Sequence, residues 1–403
     1  MSGPLAGLRV LDMSRVLAGP WASQLLADYG AEVIKVERPE CGDDTRQWGP
    51  PWLTDAAGRS TGESAYYLAA NRNKLSVTVD IATAAGAGIV RELAARSDIL
   101  LENFRVGTLA RHGLDAGALR ELNPALIYCS ISAYGQSGPR ASQSGYDAMI
   151  QASAGLMSLT GEADGPPLKT GVAVSDIMAG MYAVTAILAA LHARRTSGRG
   201  QTIDVPLFDS QLAWLANQGM NYLVSGDVPD RHGNGHPNIV PYQAFATADG
   251  YLMLAVGNDR QFAAAASCLG AAELAADPRF ATNADRVAHR ESLVAMLAEA
   301  FRGRETGHWL AVLGEHGVPC GPINDLAAAF SDPQVAARGL LQTLPHPLAG
   351  EMRTVANPVR FSETAAELRS APPLLGEHTE AVLRELLGYS DTRIGELRAA
   401  GTV

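Results

Sequence analysis

Chemistry in this chain gathers around one carboxylate. The run Pro166-Pro167-Leu168-Lys169-Thr170-Gly171-Val172-Ala173-Val174-Ser175-Asp176 leads into Ile177-Met178-Ala179-Gly180-Met181. A loop punctuated by proline and glycine thus delivers Asp176 to the first position of a long apolar helix. Backbone N–H groups and the helix dipole at such an end favour an ionised carboxylate, a good setting for a nucleophile. The plainer alternative is an N-cap, since Asp is among the commonest capping residues. A second set of residues is basic. Arg15, Lys35, Arg38, Arg46, Arg72, Lys74, Arg105 and Arg111 fall mostly at element ends, as a pocket for an anionic small molecule requires; the alternative for each is a solvated surface charge.

Bulk properties narrow the partners. The chain has 403 residues, is 47% hydrophobic and carries a net charge of −10, which argues against nucleic acid and anionic membrane surfaces, since both need a sustained basic face. No charge-free apolar run of about 18 residues and no basic-then-apolar start is found, so neither a membrane span nor a signal peptide is expected, and a cytoplasmic location follows. Cys41, Cys129, Cys268 and Cys320 are scattered without a CxxC pair or a nearby histidine, which predicts reduced thiols and no metal site.

The elements that must position these groups begin with a βαβ unit: a strand over Leu8–Met13, a helix over Pro20–Tyr29 and a strand over Ala31–Glu37. Further strands are expected at Ser76–Ile81, Ile99–Glu102 and Leu126–Ile131, with helices over Ala85–Arg96 and Thr108–Arg111. This pattern predicts an α/β fold, a Rossmann-like parallel sheet with ligands beyond the carboxyl ends of its strands. A helix over Ile177–Arg195, a strand over Thr202–Pro206 and a helix over Asp209–Ser225 follow. Gly226–Asn238 reads as a boundary, and Tyr242–Phe245 with Tyr251–Val256 as a hairpin around Asp249-Gly250. The expected organisation is a large domain over 1–200, a linker helix over 201–225, a smaller α+β domain over 226–330, and a proline-rich return segment over 331–403. That last segment includes a helix over Glu377–Leu387.

The first turn excludes two nucleotide chemistries. Asp12-Met13-Ser14-Arg15-Val16-Leu17-Ala18-Gly19-Pro20 lacks GxGxxG spacing, although Glu37 sits where an acidic residue would meet a ribose, and no GxxxxGK[ST] exists.

Several strings together carry a resemblance. They are Arg15-Val16-Leu17-Ala18-Gly19-Pro20; Val33-Ile34-Lys35-Val36-Glu37-Arg38-Pro39 with Gly42-Asp43; Asn71-Arg72-Asn73-Lys74 with Ser76-Val77-Thr78-Val79-Asp80; and Glu102-Asn103-Phe104-Arg105 with Gly107. Ser132-Ala133-Tyr134-Gly135-Gln136-Ser137-Gly138-Pro139, Gly145-Tyr146-Asp147, Gly198-Arg199-Gly200-Gln201 and His236-Pro237 through Tyr242 continue the series. In that order and spacing the chain resembles the class III (CaiB/BaiF) CoA-transferase family over nearly its whole length.

The resemblance implies a homodimer of two subunits threaded as interlocked rings, with acyl-CoA and carboxylic acid substrates and no tightly bound cofactor or metal. It implies Asp176 as the nucleophile, passing through an aspartyl anhydride and an aspartyl-CoA thioester. Positions carried over for CoA are Val16, Leu17, Ala18, Arg38, Asn71, Arg72, Asn73, Lys74, Asn103, Phe104, Arg105, Arg111, Gln143, Ser144, Gly145 and Tyr146. Gly233, Gly235 and His236 are the candidate substrate and oxyanion loop, the alternative being an ordinary surface turn. The formyl-CoA branch of the family has a longer glycine run there and a lysine at the Ser144 position. The string Gly235-His236-Pro237-Asn238-Ile239-Val240-Pro241-Tyr242-Gln243 is similar to the succinyl-CoA:glutarate-type branch, with His236, Asn238 or Arg260 as distal-carboxylate partners. Two alternatives stand beside transfer. A racemase of the same fold has histidine where Tyr146 stands, and a phenol is a poor base at neutral pH. A non-catalytic CoA-binding protein has no reason to keep Asp176. Tyr146 itself reads best as a wall of the pocket.

Overall fold

The structure is a computed structural model and describes residues 3–403. It divides into two compact units, one built from residues up to Leu156, Thr170–Met220 and Gln334–Val403, the other from Met157–Lys169 and Asn221–Pro333.

The first unit is organised by a six-stranded parallel sheet: β1 (Arg9–Asp12), β2 (Glu32–Glu37), β3 (Lys74–Thr78), β4 (Ile99–Glu102), β5 (Ile127–Ser132) and β6 (Thr202–Pro206). Their order is β3-β2-β1-β4-β5-β6. Helices cover both faces, so most of the strands read as continuous apolar runs rather than alternating ones. On one face α1 (Ala18–Asp28) packs with the long helix α5 (Val174–Ser197) over Val10, Val33, Ile99 and Ile127. On the other, α2 (Ala84–Ala95) and the C-terminal residues Val382, Leu383, Tyr389 and Ile394 cover Leu11, Ile34, Val77 and Leu100. Two further helices, α3 (Ala116–Leu122) and α4 (Asp147–Ser153), precede α5, and α6 (Leu207–Trp214) leaves the last strand.

By length and apolarity α5 resembles a membrane span. One stripe of it, Ala179, Ala183, Val184, Ile187 and Ala190, is core, whereas Met181, Tyr182 and Leu188 are exposed.

The second unit holds a three-stranded antiparallel sheet in which Tyr242–Ala246 and Tyr251–Ala255 form the hairpin and Cys320–Pro322 pairs on the other side of Tyr251–Ala255. Phe245, Leu252, Leu254, Phe262, Phe301 and Trp309 form its core.

Four segments differ from the sequence reading. The helix expected over Asp209–Ser225 is broken, α6 ending at Trp214 and a second helix running Ala216–Ser225, with Ala216 at φ +47° at the break. The proline-rich return contains a hairpin, Leu341–His346 with Gly350–Val355, and another pairs Trp52–Thr54 with Ser60–Ser64. The expected Glu377–Leu387 helix is a turn at Thr379–Ala381 that widens over Val382–Leu386, and the regular helix lies beyond it at Asp391–Ala399.

Candidate active site

In the strand order above, the connections from β1 and β4 depart toward opposite edges of the sheet. The carboxyl ends of those two strands therefore leave a crevice, the usual ligand position in open α/β sheets. A cavity of about 370 Å³ sits there. Arg15 to Ala18 follow β1, Asn103 to Val106 follow β4, Ile131 to Ala133 end β5, and Gln143 to Tyr146 precede α4; Asp44, Asp176 and Leu207 complete much of the wall.

The turn after β1 is held from three sides. Arg15 and Asn103 exchange hydrogen bonds, Arg15 N to Asn103 Oδ1 at 2.8 Å and Asn103 Nδ2 to Arg15 O at 2.7 Å, tying the ends of the two central strands together. Val16 has φ +68°, a conformation that a β-branched residue adopts only under constraint. Its N–H donates to both oxygens of Asp43, at 3.2 and 3.3 Å. The Arg15 guanidinium lies 5.0 Å from the centre of the Phe104 ring and 3.3 Å from Asp44.

Asp176 is the third residue of α5, not the first, and it does not cap the helix. The capping position is Ala173, which has no side chain for the purpose. Asp147 takes that role from α4: its Oδ1 accepts from Ser175 N at 2.8 Å and from Asp176 N at 3.4 Å, while Gln151 Nε2 donates to its Oδ2 at 2.6 Å. The expectation of an ionised Asp176 stabilised by the helix end is thereby corrected. The first-turn amides serve Asp147, and burial together with the Asp147 charge pushes Asp176 up to about 7. Its side chain stays at the cavity with the residue only 9% exposed. Gly180, one turn on, lets α5 approach α1, because a Cβ there would lie 2.7 Å from Ala18 O.

Of the positions carried over for CoA, Val16, Leu17, Ala18, Asn103, Phe104, Arg105, Gln143, Ser144, Gly145 and Tyr146 line this cavity together with Asp176. Tyr146 is 65% exposed, as a wall residue open to solvent would be. The others lie elsewhere. Lys74 is fully buried, its Nζ donating to Asp12 Oδ2 at 3.1 Å, Pro20 O at 3.0 Å and Asn71 Oδ1 at 2.8 Å, and burial pushes the amine down to about 8. Arg72 grips Asp28 at 2.6 and 3.0 Å, and Asn73 donates to Asp28 Oδ1 and Glu367 O, both at 2.8 Å. These four residues knit the sheet to its neighbours. Arg38 pairs with Asp44, and Arg111 is exposed in the turn Leu109–His112.

Gly233, Gly235 and His236 belong to the second unit. There Gly233 N donates to Gly161 O at 3.0 Å, Gly235 N to His232 O at 2.7 Å and His236 N to Tyr242 O at 2.9 Å. Sequence reasoning assigned no role to Asp147 and did not single out Asp44 or Leu207. Asp147 was visible only as the end of the Gly145-Tyr146-Asp147 string. Among the described residues, no group of three or more His, Cys, Asp or Glu side chains is arranged to hold a metal ion.

The model of CoA-transferase family III matches residues 5–379. The chain belongs to this family. Similar proteins include a succinate–glutarate CoA-transferase of Agrobacterium fabrum, 50% identical over 95% of this chain and 96% of its own length. The human succinyl-CoA:glutarate CoA-transferase is 44% identical over 99% of this chain and 90% of its own. A solved CaiB/BaiF family protein from Brucella suis superposes with a TM-score of 0.85 at 48% identity, covering 96% of this chain and all of that one. CoA-transferases act on CoA thioesters, and the cavity described here has the cationic residues Arg15 and Arg105 in its wall.

Proposed function

We propose that this CoA-transferase moves CoA from succinyl-CoA to a glutarate-type dicarboxylate, with Asp176 as the acyl-carrying nucleophile. The observation that carries the reading is the position of Asp176: a buried carboxylate, in no ion pair among the described residues, opening on the cavity where β1, β4 and β5 end. The names of the similar proteins support the substrate pair.

The chemistry follows from the carboxylate. Ionised Asp176 attacks the thioester carbonyl, the C–S bond breaks, and CoA leaves as the thiolate, giving a succinyl–aspartyl anhydride. The thiolate then attacks the aspartyl carbonyl and releases succinate, leaving an aspartyl-CoA thioester. The acceptor carboxylate attacks that carbonyl and expels the thiolate, which finally attacks the acceptor acyl carbon and regenerates Asp176. Every intermediate is a thioester or anhydride, so the barriers are lowered chiefly by holding the partners together and excluding water. A carboxylate with a raised pKa is the more basic, hence the stronger, nucleophile once ionised.

The active assembly in this reading is a homodimer of interlocked rings. Met181, Tyr182 and Leu188 on α5 with Leu212 and Trp214 on α6 leave large apolar side chains in solvent, the kind of surface that a partner subunit covers.

A panel of mono- and dicarboxylic acids offered with succinyl-CoA or acetyl-CoA, read by mass spectrometry of the CoA products, tests the substrate assignment. Glutaryl-CoA with stoichiometric succinate is the expected outcome. Turnover of monocarboxylates or oxalate with no product from a glutarate-type acid contradicts it.

A further inference from the structure

The turn Ser14–Ala18 brings strained backbone to the cavity, and the strain has an identifiable restraint. Val16 sits at φ +68° with its N–H shared between the two Asp43 oxygens. Asp43 is itself fixed. Its Oδ1 accepts from Thr45 N at 3.0 Å and Thr45 Oγ1 at 2.8 Å, and its Oδ2 accepts from Lys35 Nζ at 2.9 Å. The same Lys35 amine donates to Ser14 O at 2.8 Å, two residues before Val16, so one buried ion pair grips the turn at both its carbonyl and its amide. Lys35 and Asp43 are both closed to solvent. Nothing in the turn's own sequence favours the left-handed conformation: valine is among the least suited residues for it, and glycine would adopt it freely. Strain of this kind persists only where the surroundings over-determine it, and it collects at binding sites.

We infer that Lys35 and Asp43 form a positioning clamp that holds Val16 in the left-handed conformation, so that its side chain and the backbone of Leu17 and Ala18 form the wall on which the acyl-CoA seats. Neither residue lines the cavity. Their contribution is exerted through Val16. The clamp explains why a buried lysine and aspartate lie beneath a site whose other basic residues, Arg15 and Arg105, reach the cavity directly. This inference rests on the reading that acyl-CoA occupies the cavity.

Isothermal calorimetry with free CoA tests it, because binding is read without turnover. Asp43→Asn keeps the shape but removes the charge facing Lys35. It is expected to weaken CoA binding about tenfold in the native chain and less than about twofold in a Val16→Gly chain, since glycine needs no clamp. In steady-state assays the Asp43→Asn loss falls on KM, with kcat at saturating acyl-CoA changing less than about threefold. Equal weakening in both backgrounds, or none in either, overturns the clamp. Should Asp43→Asn fail to fold, Val16→Pro gives an independent reading, because proline cannot reach positive φ. It leaves the ion pair intact and is expected to weaken CoA binding at least about tenfold; native affinity in that variant overturns the clamp. A wild-type chain that binds no CoA removes the underlying occupancy reading and the clamp together, whereas native CoA binding with no Asp43 effect removes the clamp alone.

Discussion

Two buried aspartates beside the same turn behave in opposite ways. Asp43 would be raised by burial alone, but Lys35, the Thr45 amide and the Thr45 hydroxyl hold it down at about 2. Asp176 is also buried but opens on the cavity, faces the Asp147 carboxylate, and is pushed up to about 7. The first is a fixed charge serving as scaffold. The second is a carboxylate left without a countercharge at the cavity, the kind of environment in which residues of one type separate into scaffold and candidate chemistry.

The largest break in this comparison comes from removing the countercharge of the first and the charge of the second. Lys35→Met strands the Asp43 charge and is expected to destabilise the first unit by roughly 3–5 kcal/mol in urea unfolding. Asp176→Asn removes an uncompensated charge and is expected to stabilise by up to about 4 kcal/mol near pH 8. The sign follows from the shift. Asp176 ionises near 3.8 when unfolded and near 7 when folded, so its ionisation opposes folding progressively as pH rises between those values, fully above 7 and not at all below 3.8. The gain in Asp176→Asn should therefore vanish in acid. Loss of stability in both variants would erase the distinction drawn between the two carboxylates.

A smaller effect sharpens it. In the proposed mechanism the nucleophile is ionised Asp176, so kcat/KM should rise with pH through an acid limb near 7. Asp147→Asn keeps an oxygen for the Ser175 amide but removes the charge that disfavours the Asp176 anion, and the limb should move down by about one pH unit. The other groups in this environment are Tyr66, whose phenol is raised by burial and by the Asp176 and Asp147 charges, and Arg15, Asp44 and Arg105 on the cavity wall. An unmoved limb in Asp147→Asn, measured across about pH 5 to 9, would assign the shift to burial alone.

The sheet was legible because strands buried on both faces show as apolar runs between helix-length intervals, and the absent GxGxxG turned the reading of the βαβ start away from a dinucleotide. The cavity-lining strings Val16–Ala18, Asn103–Arg105 and Gln143–Tyr146 were legible through family resemblance, each at a strand end or before a helix. Asn71 to Lys74 lie outside the cavity wall, and a local string cannot reveal that Asp12 and Asp28, 62 and 44 residues from Lys74 and Arg72, are waiting to neutralise them. Asp147 escaped for the same reason, as it caps from 28 residues before Ser175. Positive φ at Val16 runs against residue preference, so no local rule points to it. The Leu341–Val355 hairpin was hidden by Pro345 and by a turn lacking the Asn-Gly or Asp-Gly signature.

The central claim is that Asp176 carries the acyl group and then CoA. Incubating the protein with succinyl-CoA and hydroxylamine, then mapping peptides by mass spectrometry, tests it most directly. The account predicts a hydroxamate on Asp176 that forms only with the thioester present and is lost in Asp176→Asn together with transferase activity. Continued CoA transfer by Asp176→Asn, or a wild-type enzyme that turns over without any label on Asp176, would contradict it.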